Sequence, residues 1–386
     1  MLHELYLTAM KKVIVLVLLS WQTLLFGQTT LTESITHDGE QRSYVIYVPA
    51  SYTAEQEVPL VLNFHGYGSS AVQQMNYGDF RAVADTAGFI LVHPQGAVFE
   101  GFTHWNVGSW VNGSPYDDVS FTAAILDKVE SEYSIDSKRI YSTGMSNGGY
   151  MSFLLACQLS DRIAAIASVT GSMTPNNLLS CGAQRPMPIM QIHGTNDGTV
   201  PYVGALWTEP VAAVVDYWVD HNACDQEPIT LDLPDLNAND GSTATFFRYD
   251  NGEEGAVVEH IRINGGNHTW PGASFVTPGT NLDFSASEAI WQFFSRYSLD
   301  GLVTTVTDTE RSVSQLDIVV NNTLQQIVVQ GQLPAGAQYH IYTTLGQSIK
   351  SGSLTAGAPI VDISSLSFGA YIILVNEYSQ LFYVVK

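Results

Sequence analysis

The sequence predicts an α/β protein, a mostly parallel central sheet flanked by helices, followed by a small all-β sandwich. Three observations carry that expectation. Short β-branched and aromatic runs alternate with helical patterns between residues 43 and 297. One such run, over 139–143, passes through Gly144-Met-Ser146-Asn-Gly148 directly into an apolar helical stretch over 150–159. Beyond residue 315 the helical patterns stop, and strand-like runs separated by turn residues take over. The expected organisation is a signal peptide over 1–27, the α/β unit over 28–299, a Thr/Ser/Asp linker over 300–314 and the sandwich over 315–386.

The strand–turn–helix around Ser146 is the context a nucleophile elbow needs. The tight turn strains the serine backbone and lifts its hydroxyl off the sheet, while a helix N-terminus points its free N–H groups at any anion formed there. Glycines on both sides avoid a clash between Cβ atoms and the crossing elements. A Gly-rich turn without chemistry is the competing reading, and the flanking strand and helix weigh against it.

Composition narrows the partners. The 386 residues are 45% hydrophobic and only 13% charged, with 15 Lys+Arg against 37 Asp+Glu and a net charge of −22. A field of that sign repels phosphate backbones and anionic membranes, so nucleic acid is not an expected partner. Lys11-Lys12 ahead of an apolar run from Val13, fading to Phe26-Gly27, read as a secretory signal, with Met1 or Met10 as the start. The run is too short for a stable membrane span. Of the three cysteines, Cys157 lies on the apolar helix after the elbow and reads as a small buried hydrophobe. Cys181 and Cys224 lie in loops flanking the same strand and helix and are the expected disulfide pair. No His/Glu cluster suggests a metal, and no cofactor is expected.

Taken in order, residues 43–49 and 60–64 read as strands, and the second runs into His65-Gly66-Tyr67-Gly68. A Gly-rich loop after an early strand supplies one oxyanion N–H in hydrolases built on an elbow, which nominates Tyr67, with Asn147 after the nucleophile as the second donor. Residues 75–87 read as one helix and 89–93 as a strand. The aromatic loop over 99–115, with Trp105 and Trp110, reads either as a ligand contact or as packing. Asp117-Asp118 cap the next helix rather than act as an acid/base pair.

After the elbow helix, 163–169 and 187–192 read as strands, and the second leads to His193-Gly-Thr-Asn-Asp197-Gly198. A carboxylate after a late strand is where a triad acid belongs, although Asn-Asp-Gly is strong turn chemistry by itself. His193 reads as a packed residue beside it. A helix over 206–221 and strands over 243–249 and 257–263 follow, and then Gly265-Gly266-Asn267-His268-Thr269-Trp270. His268 completes the chain order Ser…Asp…His, which is that of α/β-hydrolases. Ser285-Ala-Ser-Glu288 is a capping box opening the closing helix.

Four stretches together carry a more specific resemblance: His65-Gly66, Gly144 to Gly149, His193 to Tyr202, and His268-Thr-Trp-Pro-Gly272. They resemble the secreted poly(3-hydroxybutyrate) depolymerase and feruloyl/acetylxylan esterase group, a branch of carbohydrate esterase family 1, over residues 43–297. The resemblance implies Ser146 as nucleophile, Asp197 as acid, His268 as base and a Cys181–Cys224 disulfide. Trp105-Asn106 and Asp117-Asp118-Val119 fit the group as well; Asn267, where relatives more often have Gly, departs from it. Residues 342–348, 363–371 and the terminal Val384-Val385-Lys386 resemble a type A sorting domain of the type IX secretion system. That implies passage through the periplasm to the exterior or cell surface, with the type IX machinery as partner. A carbohydrate-binding sandwich is the alternative, disfavoured because the segment has no Trp.

The expected function is a serine esterase acting on feruloyl or acetyl esters of plant cell-wall xylan, with Trp105, Trp110 and Trp270 gripping the substrate. A polyester depolymerase is the near alternative. A serine peptidase and a non-catalytic binding protein are the remote ones.

Overall fold

The computed structural model describes residues 28–303 and, beyond them, 317–321, 326–330, 337–343, 348–354, 359–366, 369–375 and 378–384. The expected signal peptide over 1–27 and residues 304–314 of the expected linker lie outside the described residues.

Among the described residues the larger unit is built from twelve strands and seven α-helices, followed by a short hairpin of Tyr297–Ser298 and Gly301–Leu302. The strands are β1 (Thr29–His37), β2 (Glu40–Val48), β3 (Val58–Phe64), β4 (Ile90–Pro94), β5 (Ala97–Phe99), β6 (Phe102–His104), β7 (Ile135–Met145), β8 (Ala165–Val169), β9 (Ile189–Gly194), β10 (Ile229–Asp232), β11 (Thr243–Tyr249) and β12 (Val258–Asn264). The helices are α1 (Ala71–Tyr77), α2 (Arg81–Ala87), α3 (Asp118–Glu132), α4 (Asn147–Gln158), α5 (Pro175–Leu179), α6 (Val211–His221) and α7 (Ala286–Phe294). Ten strands form one sheet in the order β1-β2-β4-β3-β7-β8-β9-β12-β11-β10. The six from β4 to β12 in that order pair in parallel, and antiparallel strands close both edges.

Residues that alternate along a strand feed two different cores, as the two-residue period of a strand requires. Leu60, Leu62 and Phe64 of β3 pack with α3, α4 and α6, whereas Val61 packs with α2 and α7 on the other face. Parallel strands covered on both faces are largely apolar, and β3, β4, β8 and β9 are buried at every position, with Asn63, His93, Ser168, Gln191 and His193 among the buried residues.

Some elements differ from expectation. The stretch over 75–87 is two short helices, because Gly78 ends α1 and Phe80 starts α2 in a new direction. A Cβ on Gly78 would sit 2.7 Å from the Gln74 side chain and 3.2 Å from the Trp270 ring. Helix α6 starts at Val211 rather than near 206, since Pro210 occupies its N-cap. Strands β1 and β10 are edge strands with mostly exposed side chains, so they lack an apolar signature. The capping readings hold: Asp117 accepts from Ser120 N at 3.0 Å and Ser285 from Glu288 N at 3.3 Å.

The C-terminal residues form a separate small β domain. Asp317–Asn321, Gln326–Gln330 and Ile360–Asp362 make one sheet; Gln338–Thr343, Ser348–Ser353, Gly369–Val375 and Tyr378–Val384 make another. Ile327, Val329 and Val361 from the first sheet share a core with Ile341, Tyr371 and Ile373 from the second, which makes the pair a sandwich.

Candidate active site

The elbow sits where β7 gives way to α4. Ser146 holds φ 55° and ψ −122°, a region that L residues occupy only under strain. Its amide donates to the Val169 carbonyl at 2.9 Å, and its own carbonyl accepts from Gly149 and Tyr150. The flanking glycines are obligatory. A Cβ on Gly144 would lie 2.6 Å from the Gly148 backbone, and one on Gly148 would lie 2.1 Å from the Phe64 carbonyl oxygen.

The other candidates emerge at the same edge of the sheet. β7, β8, β9 and β12 are successive parallel neighbours, so the loops after Met145, Gly194 and Asn264 leave from one side. Ligand sites of open α/β sheets lie at that carboxyl edge. Backbone contact locks two of the loops together: Asn196 N donates to Gly266 O at 2.9 Å, and a Cβ on Gly194 would meet that same oxygen at 2.3 Å.

On these loops His268 and Asp197 meet. His268 Nδ1 lies 2.7 Å from Asp197 Oδ2, and a carboxylate only accepts, so Nδ1 carries the proton and Nε2 is left for a nucleophile. The other carboxylate oxygen, Oδ1, accepts from Thr199 N and Val200 N, each at 2.8 Å. Buried His193 stands behind the acid, its Nε2 3.3 Å from Oδ2. Burial by itself would raise the Asp197 carboxyl; hydrogen bonds from His193 and His268 outweigh it and hold the group well below the usual carboxylate range. The side chain of Asn267 donates to the Pro278 carbonyl at 3.0 Å, so the residue that departs from the expected glycine braces the histidine loop.

The Gly66 loop lies against the elbow. A Cβ on Gly66 would stand 3.4 Å from Ser146 Cβ and 4.0 Å from its Oγ. Tyr67, the next residue, stacks on Phe102 of the β5–β6 hairpin, and both rings are exposed.

Comparison with known proteins places the fold and the relatives of the chain. Residues 42–201 match the family model described as esterase PHB depolymerase. A solved acetyl xylan esterase from Aspergillus awamori superposes with a TM-score of 0.50 at 16% identity, covering 68% of this chain and 98% of that one. The chain has the α/β-hydrolase fold. Among curated relatives, a bifunctional acetylxylan esterase/xylanase of Neocallimastix patriciarum is 27% identical, covering 71% of this chain and 36% of that protein. Feruloyl esterase D of Neurospora crassa is 29% identical, covering 72% of this chain and 88% of that protein. Feruloyl esterase B of Piromyces equi is 30% identical, covering 59% and 42%. The chain thus spans less than half the length of two of these relatives. Over the matched region it is related to carboxylic ester hydrolases.

Three sequence expectations for this α/β-hydrolase require correction. The disulfide joins Cys157 to Cys181, with Cα atoms 4.8 Å apart, and Cys224 is a buried free thiol. The segment after Cys181 folds over the end of α4: Gln184 N donates to Ser160 Oγ, and the Arg185 guanidinium to the carbonyls of Ser160, Ile163 and Ala164. That places Cys181 on the helix end and leaves Cys224 behind α6, its thiol 3.7 Å from the Ala256 carbonyl. Trp105 and Trp270 are 0% and 1% exposed, so neither presents a face to a substrate. Trp105 donates its indole N–H to the His65 carbonyl, and Trp270 donates to Ser287. Trp110 alone of the three reaches the surface, at 37%, in edge contact with Trp207 and Tyr150. Phe102 and Trp207 were not singled out from the sequence; the signals available were the place of Phe102 in the aromatic stretch over 99–115 and that of Trp207 shortly after the Asp197 turn.

Asp118 supports the aromatic loop rather than serving as an acid. Its Oδ1 pairs with buried Arg42 at 2.7 Å and its Oδ2 accepts from Asn106 N at 2.7 Å.

Proposed function

We propose that the protein is a serine carboxylic ester hydrolase acting on ester-bearing polysaccharide, in particular feruloyl or acetyl side chains of plant cell-wall xylan. The observation that carries this is the Asp197–His268 hydrogen bond, on loops beside a strained elbow serine at the carboxyl edge of the sheet. In the proposed reaction His268 Nε2 takes the Ser146 proton as Oγ attacks the ester carbonyl carbon. The Tyr67 and Asn147 N–H groups receive the oxyanion, and removing such a donor costs about 3 kcal/mol of barrier. Collapse expels the alcohol, protonated by His268. Water then attacks the acyl-enzyme with His268 as base and releases the acid. Asp197 stays ionised throughout and balances the imidazolium.

The relatives named as feruloyl and acetylxylan esterases support the cell-wall substrate. Trp110 and the Tyr67–Phe102 stack supply exposed aromatic faces for a planar acyl group or a sugar ring. The depolymerase family match favours polyester as a second reading. Ferulate and acetate release from native arabinoxylan, against Ser146→Ala, tests the first. Cleavage of p-nitrophenyl acetate without release from xylan moves the substrate to polyester, and absence of Ser146-dependent turnover removes the esterase reading.

The domain limits and the route to the exterior belong to the same proposal. The all-β sandwich that follows the hydrolase domain supports a sorting role for residues 315–386, with the type IX machinery as partner. Among the described residues no helix is long and apolar enough to cross a membrane. Mass measurement of secreted protein, with and without the sandwich, tests export and removal of the domain.

A further inference from the structure

The two proposed oxyanion donors sit on different segments, Tyr67 after β3 and Asn147 at the start of α4, and a buried chain of hydrogen bonds links them. The Asn147 side chain clamps the backbone of Trp105 from both sides: Oδ1 accepts from Trp105 N at 2.7 Å, and Nδ2 donates to Trp105 O at 3.1 Å. The Trp105 indole N–H donates to the His65 carbonyl at 2.8 Å. The His65 ring closes the chain at Gly66.

The tautomer of His65 is dictated by its partners. Gly96 N–H can only donate, and it lies 2.9 Å from Nε2, so Nε2 accepts. The proton is therefore on Nδ1, 2.7 Å from the Gly66 carbonyl, which can only accept. Gly66 C=O and Tyr67 N–H belong to one peptide unit, and it is trans. In a trans unit the two groups point in opposite directions, so fixing the carbonyl aims the N–H. Burial pushes the His65 imidazole down to about 4, which keeps it in this neutral form at working pH.

We infer that His65 and Trp105 are positioning residues that set the direction and spacing of the Tyr67 and Asn147 oxyanion donors. The inference rests on the esterase reading. It also explains why Trp105 is fully buried in a loop whose other aromatic residues reach the surface.

Three conservative variants separate this role from simple bracing. In His65→Gln the side-chain oxygen reaches the former Nε2 position and can accept from Gly96, but the ring donor to Gly66 is lost, leaving that carbonyl only the Ser69 N–H at 3.1 Å. In His65→Asn the amide nitrogen takes the Nδ1 position and keeps the Gly66 bond, while the Gly96 contact goes. Trp105→Phe keeps an aromatic ring and removes the N–H. The readouts are kcat and KM for p-nitrophenyl acetate, normalised to active sites by fluorophosphonate titration. The inhibition constant of phenylboronic acid, whose tetrahedral serine adduct places an oxygen among the donors, is the third readout.

His65→Gln and Trp105→Phe should lower kcat by about 10- to 100-fold, less than loss of a donor itself, with KM within about threefold. Boronate affinity should fall by a similar factor, and His65→Asn should stay within about threefold of the parent. The inference fails if His65→Asn is as damaged as His65→Gln, if KM rises while kcat holds, or if boronate affinity is unmoved. Wild-type protein without Ser146-dependent turnover would overturn the esterase reading along with it, whereas active wild type with unaffected variants would overturn only the positioning role.

Discussion

His268 donates from Nδ1 to Asp197 Oδ2 across 2.7 Å, joining side chains 71 positions apart in the sequence. The bond orients the ring, so its loss should be felt in turnover rather than in binding. Asp197→Asn is expected to lower kcat by about 10³- to 10⁴-fold and Ser146→Ala by about 10⁶-fold, both measured on p-nitrophenyl acetate. An Asp197→Asn enzyme with parental kcat would show that the pair is structural.

Three buried imidazoles set an acid limit on stability. Burial pushes His65, His93 and His260 from 6.5 down to about 4. Between those values the unfolded chain binds protons that the folded chain does not, so stability is full above about pH 6.5 and falls towards pH 4. By pH 4 each group removes about 3 kcal/mol. Tm should therefore drop steeply over that interval, and His260→Gln should flatten the curve. A Tm independent of pH from 7 to 4 contradicts the assignment.

The disulfide prediction is chemical. Peptide mapping without reduction should recover a Cys157–Cys181 cross-link and a Cys224 that alkylates only after unfolding. Replacing both linked cysteines should cost about 3 kcal/mol, from release of a loop of 24 residues, read as a lower denaturation midpoint. Recovery of a Cys181–Cys224 peptide would return the original sequence expectation.

The tryptophans should divide by burial. Trp110→Ala is expected to raise KM for feruloyl substrates several-fold while leaving Tm nearly unchanged, because that ring is partly exposed. Trp270→Ala removes a fully buried ring and should cost about 3–5 kcal/mol of stability. Equal effects of the two on Tm would argue against a surface role for Trp110.

At the elbow, Gly148→Ala should abolish soluble expression or activity, since the added methyl carbon meets the Phe64 carbonyl oxygen at 2.1 Å. Gly198→Ala is the control: nothing lies within 4 Å of its Cβ position, so the variant should behave like the parent.

Much of this architecture was legible because it is written locally. Strands buried on both faces read as apolar runs, and Asp117 and Ser285 are caps whose hydrogen bonds close within three residues. The edge strands β1 and β10 were not legible, since their exposed side chains carry no apolar pattern. The break between α1 and α2 escaped as well: a Cβ on Gly78 would meet the Gln74 side chain and also the ring of Trp270, the second of which is far away in the chain.

By itself the sequence determined the order of the candidate residues along the chain, Ser146, then Asp197, then His268, each on a glycine-bearing turn after a strand. Turn chemistry and strand patterning depend on near neighbours, so they survive without coordinates. Only the tertiary structure decided which cysteine Cys181 meets, which tryptophans are buried, and which His65 nitrogen holds the proton. Those depend on how segments tens of residues apart are set against one another, and a one-dimensional pattern carries no record of that distance.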